Sequence, residues 1–270
     1  MRHLDLFSGI GGFALAAQKV WGEEYKNVGF CEIEKYPQQI LKKHWPNAII
    51  YDDIRRLELG RDTADLITGG FPCQPFSSAG KRRGKEDDRD LWPEMFRVIQ
   101  SVRPCWVVGE NVANFVNMEL ERSISDLENA GYSVQSFVIP AISIGAPHKR
   151  NRVYIVAYTQ SDRDCGRPKE VCEKDGRQDG ELLSEFGNAN SLWPVLADAK
   201  SKWRWGKRRR VGSEKDCIKE WDLHIWENQP MPDRVADGIP HRVDRLKALG
   251  NSIVPQIAAE IFKTIKEIGL

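Results

Sequence analysis

From the amino terminus to about residue 158, short apolar and β-branched runs alternate with longer stretches in which apolar residues recur three and four positions apart. That alternation is the pattern of βα units around a mainly parallel sheet. It predicts seven strands, at residues 2–7, 27–32, 48–51, 64–68, 105–110, 133–139 and 152–158. Helices are expected to fill most of the gaps, over 12–20, 36–43, 91–101 and 118–130. From 159 to about 233 the periodicity dissolves into Gly, Pro, Trp and charge without a low-complexity repeat, which reads as a separate lobe or a long insertion. Order returns at the end. Val254, Ile257, Ala258, Ile261, Ile265 and Ile268 follow helical spacing, with Pro255 tolerable in the first turn, so a helix packed on the sheet is expected there.

Composition narrows the class without changing the fold. Of 270 residues, 41% are hydrophobic and 29% charged, which is globular and suits one large domain with an appended lobe. No apolar run approaches the roughly 18 residues that span a bilayer, so neither a membrane span nor a secretory signal is expected. The six cysteines are scattered with no CxxC pair, so neither a zinc site nor a disulfide framework is indicated, and a reducing, cytoplasmic setting fits. A formal charge of +1 excludes a wholly basic nucleic-acid coat, but the charge is unevenly spread. Residues 200–210 carry seven Lys or Arg and two Trp with no acid, whereas 161–185 is rich in both signs.

In an open α/β sheet, ligands sit beyond the carboxyl ends of the strands. Five strand ends carry polar or reactive groups: Ser8-Gly9-Ile10-Gly11-Gly12 after the first, Glu32 after the second and Asp52-Asp53 after the third. The fourth runs into Gly69-Gly70-Phe71-Pro72-Cys73-Gln74-Pro75 and the fifth into Glu110-Asn111-Val112. Close glycines also serve plain strand-to-helix turns, but an acid about 20 residues on, as Glu32 is, suits a ribose diol. The loop departs from GxGxxG, which points away from NAD and toward adenosine carried on something else. Asp53 suits an adenine amino group, or equally a solvated loop position. Cys73, between prolines at a strand's carboxyl end, is the candidate nucleophile, and Glu110 is its candidate acid or base partner.

Taken in order, Asp5-Leu6-Phe7-Ser8-Gly9-Ile10-Gly11-Gly12-Phe13, Phe71-Pro72-Cys73-Gln74-Pro75-Phe76-Ser77, Glu110-Asn111-Val112, Arg150-Asn151-Arg152 and Gly250-Asn251-Ser252 resemble the motifs of the DNA (cytosine-5) methyltransferases of bacteria and phages. The resemblance covers residues 1–158 and 234–270. His148 departs from it, standing where the family usually has Gln. The resemblance implies an α/β, Rossmann-like sheet that uses S-adenosyl-methionine, yields S-adenosyl-homocysteine and needs no metal. Residues 1–158 would form the catalytic and cofactor-binding domain, 159–235 a small target-recognition lobe, and 236–270 a segment returning to the catalytic domain. It implies that Cys73 attacks C6 of cytosine, that Glu110 meets N3 and the exocyclic amine, that Arg152 holds O2 and that Arg150 supports it. The cofactor would lie against Phe7, Gly9, Ile10, Gly12, Glu32, Asp53, Pro72, Leu91, Asn251 and Ile253. Double-stranded DNA would be the partner, with the target base flipped out of the stack. Gln74, Ser77, Lys81 and Arg82 of the loop after Cys73, with Lys207 and Arg208 of the basic run, would contact it. A monomeric, cytoplasmic protein of restriction-modification type in a bacterial or phage-infected cell is expected. Three rivals remain at this stage: a tRNA methyltransferase with the same motifs, a catalytically silent DNA-binding protein, and a nicotinamide-dependent oxidoreductase resting on the glycine loop and Glu32 alone.

Overall fold

The structure is a computed structural model and describes residues 1–72, 90–117, 119–146, 148–159 and 242–269. Seven strands form one sheet: β1 (Arg2–Leu6), β2 (Lys26–Cys31), β3 (Ile50–Tyr51), β4 (Leu66–Gly69), β5 (Trp106–Val112), β6 (Ser133–Pro140) and β7 (Asn151–Tyr158). Their order is β3-β2-β1-β4-β5-β7-β6, with β7 antiparallel to both of its neighbours and the other pairings parallel. The described helices are α1 (Gly12–Trp21), α2 (Lys35–His44), α3 (Trp92–Val102), α4 (Leu120–Asn129), α5 (Arg242–Asn251) and α6 (Pro255–Gly269). The fold is α/β with a mixed, mainly parallel sheet, as the alternating pattern predicts.

The central strands are buried on both faces because helices cover both sides of the sheet, and most of their residues are apolar. In β7, Val153, Ile155 and Ala157 join the cluster built with Met95, Val98, Ile99 and Val102 of α3, whereas Tyr154 and Val156 join the cluster built with α1 and α6. That alternation is the period of two expected of a strand buried on both sides. Strand order reverses direction between β1 and β4, so the crevice above their carboxyl ends is the topological switch point where ligands collect in such sheets.

Two details depart from the sequence reading. The third strand is two residues long rather than four, because 46–48 form a turn and only Ile50 and Tyr51 pair with β2. Helix α5 was not expected at all. Its apolar residues Val243, Leu246 and Leu249 are exposed and only Ala248 is buried, so no clean inward stripe announces it.

Candidate active site at the carboxyl ends of the strands

The chain leaves β1 through a tight turn. Phe7 and Gly9 both take positive φ, 51° and 53°, and the Ser8 hydroxyl donates to the carbonyl of Asp5 at 2.5 Å. A Cβ on Gly9 would meet nothing within 4 Å, so the turn opens onto free space there. Glu32, at the end of β2, faces that turn: its carboxylate accepts the N–H of Gly9 at 2.7 Å through Oε2 and the N–H of Glu34 at 2.8 Å through Oε1. Burial raises its pKa, and those same amides oppose the rise. The Gly9 turn and the acid after the neighbouring strand β2 are thus joined by a hydrogen bond.

The other expected cofactor residues differ in exposure and in what they touch. Phe7 and Leu91 are partly buried against the core, Leu91 at the start of α3. Ile10 is half-buried and Pro72 is exposed. Asp53 caps the turn at Ile54–Arg56 and accepts the N–H of Arg55 at 3.0 Å, so one of its oxygens already has a local partner. Ile253 of the returning segment packs where a Cβ of Gly12 would stand, its Cγ1 2.6 Å from that position, and also faces Gly70. Gly12 is therefore needed for a close approach of two chain segments. Asn251, the last residue of α5, is exposed.

Across the crevice, β5 presents Glu110. Arg152 of β7 holds its Oε1 at 3.0 Å. Burial lifts the Glu110 pKa to about 7 against the pull of Arg152 and Arg150, which suits a group that exchanges protons at neutral pH. A Cβ on Gly70 would lie 3.5 Å from Oε2, so Glu110 and the turn after β4 are neighbours. Arg150 turns to the carboxyl-terminal segment. Its Nη2 donates to the carbonyls of Gly250 at 2.8 Å and Ser252 at 2.6 Å, tying the carboxyl-terminal segment to the site.

Sequence reasoning singled out neither Asn111 nor Ile33. Asn111 donates to the carbonyl of Phe71 at 3.0 Å, two residues before Cys73, and accepts the N–H of Val112 at 2.9 Å. Its place beside Glu110 at a strand end was the available sign. Ile33 follows Glu32 and is 65% exposed at the crevice, an apolar side chain that the core does not use. Cys73, Gln74, Ser77, Lys81, Arg82, Lys207 and Arg208 lie outside the described residues.

Residues 1–215 match a family model described as C-5 cytosine-specific DNA methylase. The chain belongs to that family. The matched region of this DNA cytosine-5 methyltransferase runs past residue 158, where the motifs of the first half stop, and ends before Gly250-Asn251-Ser252. It is 30% identical over 228 residues to the Type II methyltransferase M.NgoMIV of Neisseria gonorrhoeae, covering 82% of this chain and 72% of that protein. It is 32% identical over 164 residues to the Type II methyltransferase M.HhaI of Haemophilus parahaemolyticus, covering 58% of this chain. The match spans 49% of the length of M.HhaI and 38% of the Escherichia coli enzyme M.Eco47II. Among solved structures, a mutant DNMT2 from Spodoptera frugiperda shares the fold with a TM-score of 0.50 and 23% identity, over 66% of this chain and 53% of that one.

Proposed function

We propose that this protein transfers a methyl group from S-adenosyl-methionine to C5 of cytosine at a specific sequence in duplex DNA. The observation that carries the reading is the pairing of Glu110 with Arg152 beside the Gly70 turn, in a sheet whose neighbouring strand ends carry the Gly9 turn and Glu32. The arrangement fits an adenosine-bearing cofactor. The Gly9 turn has open space above it, Glu32 presents a carboxylate suited to ribose hydroxyls, and Phe7 and Ile33 offer apolar surface to a base. The cofactor supplies a methyl group on a sulfonium.

The remaining work falls to side chains. Cytosine C5 is a poor nucleophile. Addition of the Cys73 thiolate to C6 moves the C5–C6 π electrons onto C5 as an enamine. Glu110 meets N3 as charge develops there, and its pKa of about 7 leaves it partly protonated at neutral pH. Arg152, held against Glu110, is placed to meet O2. After C5 gains its methyl group, the C5 proton leaves, the S–C6 bond breaks by β-elimination and the thiolate returns. A base within a duplex is out of reach of Cys73, so it must be extruded first. Residues 1–158 form the catalytic domain, and 236–270 close it, which the packing of α6 on α1 and of Ile253 on Gly12 supports. Residues 159–235 form the recognition lobe, and Lys207, Arg208, Gln74, Ser77, Lys81 and Arg82 contact DNA. The protein acts as a cytoplasmic monomer. Among the described residues no helix is long and apolar enough to cross a membrane.

The test is incubation with tritiated S-adenosyl-methionine and unmethylated genomic DNA, followed by bisulfite mapping. Label confined to one short motif at cytosine C5 is expected. Cofactor binding without DNA labelling, but with labelling of tRNA, would replace the substrate assignment.

A further inference from the structure

Tyr154 of β7 stands directly opposite Glu110 of β5. Cross-strand partners leave the sheet on the same side, and here that is the side covered by α1 and α6, where Tyr154 clusters with Val254, Ile257 and Ala258. The side chain is 0% exposed. Its hydroxyl oxygen is buried too, and among the described residues no donor or acceptor meets it. Burying a hydroxyl without a partner costs stability, so such groups are few and call for an explanation. The hydroxyl lies in the field of the site's charged groups. Burial chiefly, and then the charge of Glu110, raise its pKa, while Arg152 and Arg150 act in the opposite sense. It is therefore a neutral donor, held beside the acid that is read above as meeting the base.

We propose that Tyr154 is a positioning residue for Glu110: when a cytosine fills the pocket, its hydroxyl donates to the Glu110 carboxyl, which Arg152 already holds through Oε1, and fixes that carboxyl's orientation toward the base. The inference rests on the reading of Glu110 given above. A hydrogen bond made in the occupied site and strengthened as charge develops at Glu110 favours turnover over ground-state binding. The free protein carries the cost of the unmet hydroxyl, and the complex recovers it.

Tyr154→Phe keeps the ring and removes only the hydroxyl. The variant is expected to melt at or above the wild-type Tm, since no bond is lost from the free protein. Its kcat on duplex DNA falls roughly tenfold to a hundredfold, the range of a hydrogen bond to a charged group, while KM for DNA rises by less and Kd for S-adenosyl-methionine stays unchanged. The pH dependence separates this from a structural role. The Glu110 limb of the kcat profile, which reports the complex, moves to higher pH because a carboxylate that has lost a donor holds its proton more tightly. The same limb of the kcat/KM profile, which reports the free protein, stays in place. Wild-type kcat with an unmoved limb overturns the proposal, whatever the Tm. If the wild-type protein labels no cytosine, the assignment of Glu110 has failed and this proposal falls with it. If the wild type is active and the variant matches it, only the role of Tyr154 has failed.

Discussion

Glu110 and Glu32 are both strand-end carboxylates with raised pKa values, and their surroundings separate their roles. Two backbone amides bind Glu32, which fixes the carboxylate and suits it to accept hydrogen bonds from a ligand. Glu110 is buried beside one guanidinium and is lifted to about 7, which suits proton exchange. Glu110→Gln is expected to lower kcat by roughly a hundredfold to ten-thousandfold with the Kd for S-adenosyl-methionine unchanged; a loss of less than threefold would move the activation of N3 to another group. Glu32→Ala is expected to weaken cofactor binding, measured by calorimetry, with a much smaller effect on kcat at saturating cofactor. An unaltered Kd contradicts the ribose assignment. Both acids were legible in the sequence because a carboxylate just past an apolar strand has few structural reasons to be there. The grip of Arg150 on the carbonyls of Gly250 and Ser252 was not legible, since it joins residues 100 and 102 positions apart through backbone atoms that no side-chain pattern marks.

At the scale of elements, the strands and the first four helices followed from periodicity because each buries a face against the sheet. Helix α5 escaped because it buries little, and β3 was overextended because an edge strand with one short pairing is specified more by its neighbour than by its own residues. The contact between α1 and the returning segment is specific enough to test. A Cβ at Gly12 would stand 2.6 Å from Ile253 Cγ1, so Gly12→Ala is expected to cost about 1–3 kcal/mol of stability by overpacking. Ile253→Ala removes the opposing methylene. The double variant should therefore be less destabilised than the sum of the single ones, a coupling readable in a double-mutant cycle of denaturant unfolding. Strict additivity would mean that the two segments do not touch.

For the whole molecule, a buried polar chain crosses beneath the site. Asn27 donates to the Tyr25 hydroxyl at 3.3 Å, which lies 3.1 Å from His3 Nδ1. His3 Nε2 lies 2.7 Å from the Thr68 hydroxyl, which donates to Asp5 Oδ1 at 2.7 Å. It links β1, β2 and β4, the strands whose ends carry the glycine turn, Glu32 and the chain toward Cys73. Burial holds His3 neutral, with its pKa pushed down to about 3, and lifts Asp5 to about 8 from an ordinary 3.8. A carboxyl whose folded pKa is raised keeps a proton that the unfolded chain releases, so stability falls as pH rises from about 4 to about 8. Neutral, buried His3 acts in the opposite sense, removing stability as pH falls from 6.5 toward 3. Asp5→Asn, which mimics the protonated acid, is expected to flatten the decline of Tm between pH 6.5 and 8; a slope identical to the wild type would show that Asp5 is already ionised in the folded protein. None of this network was read from the sequence, where His3 and Asp5 are two polar residues in an apolar strand and Thr68 is an ordinary β-branched position.

The central claim is covalent catalysis by Cys73 on cytosine, and duplex DNA carrying 5-fluorocytosine at the recognised position tests it most directly. Fluorine at C5 cannot leave as the proton does, so the S–C6 bond persists after methyl transfer. Intact-mass and peptide mass spectrometry are expected to find a methylated DNA adduct on Cys73, formed only with S-adenosyl-methionine present and absent from Cys73→Ala. No adduct from a wild-type protein that binds both cofactor and DNA, or an adduct that survives in Cys73→Ala, would contradict the account.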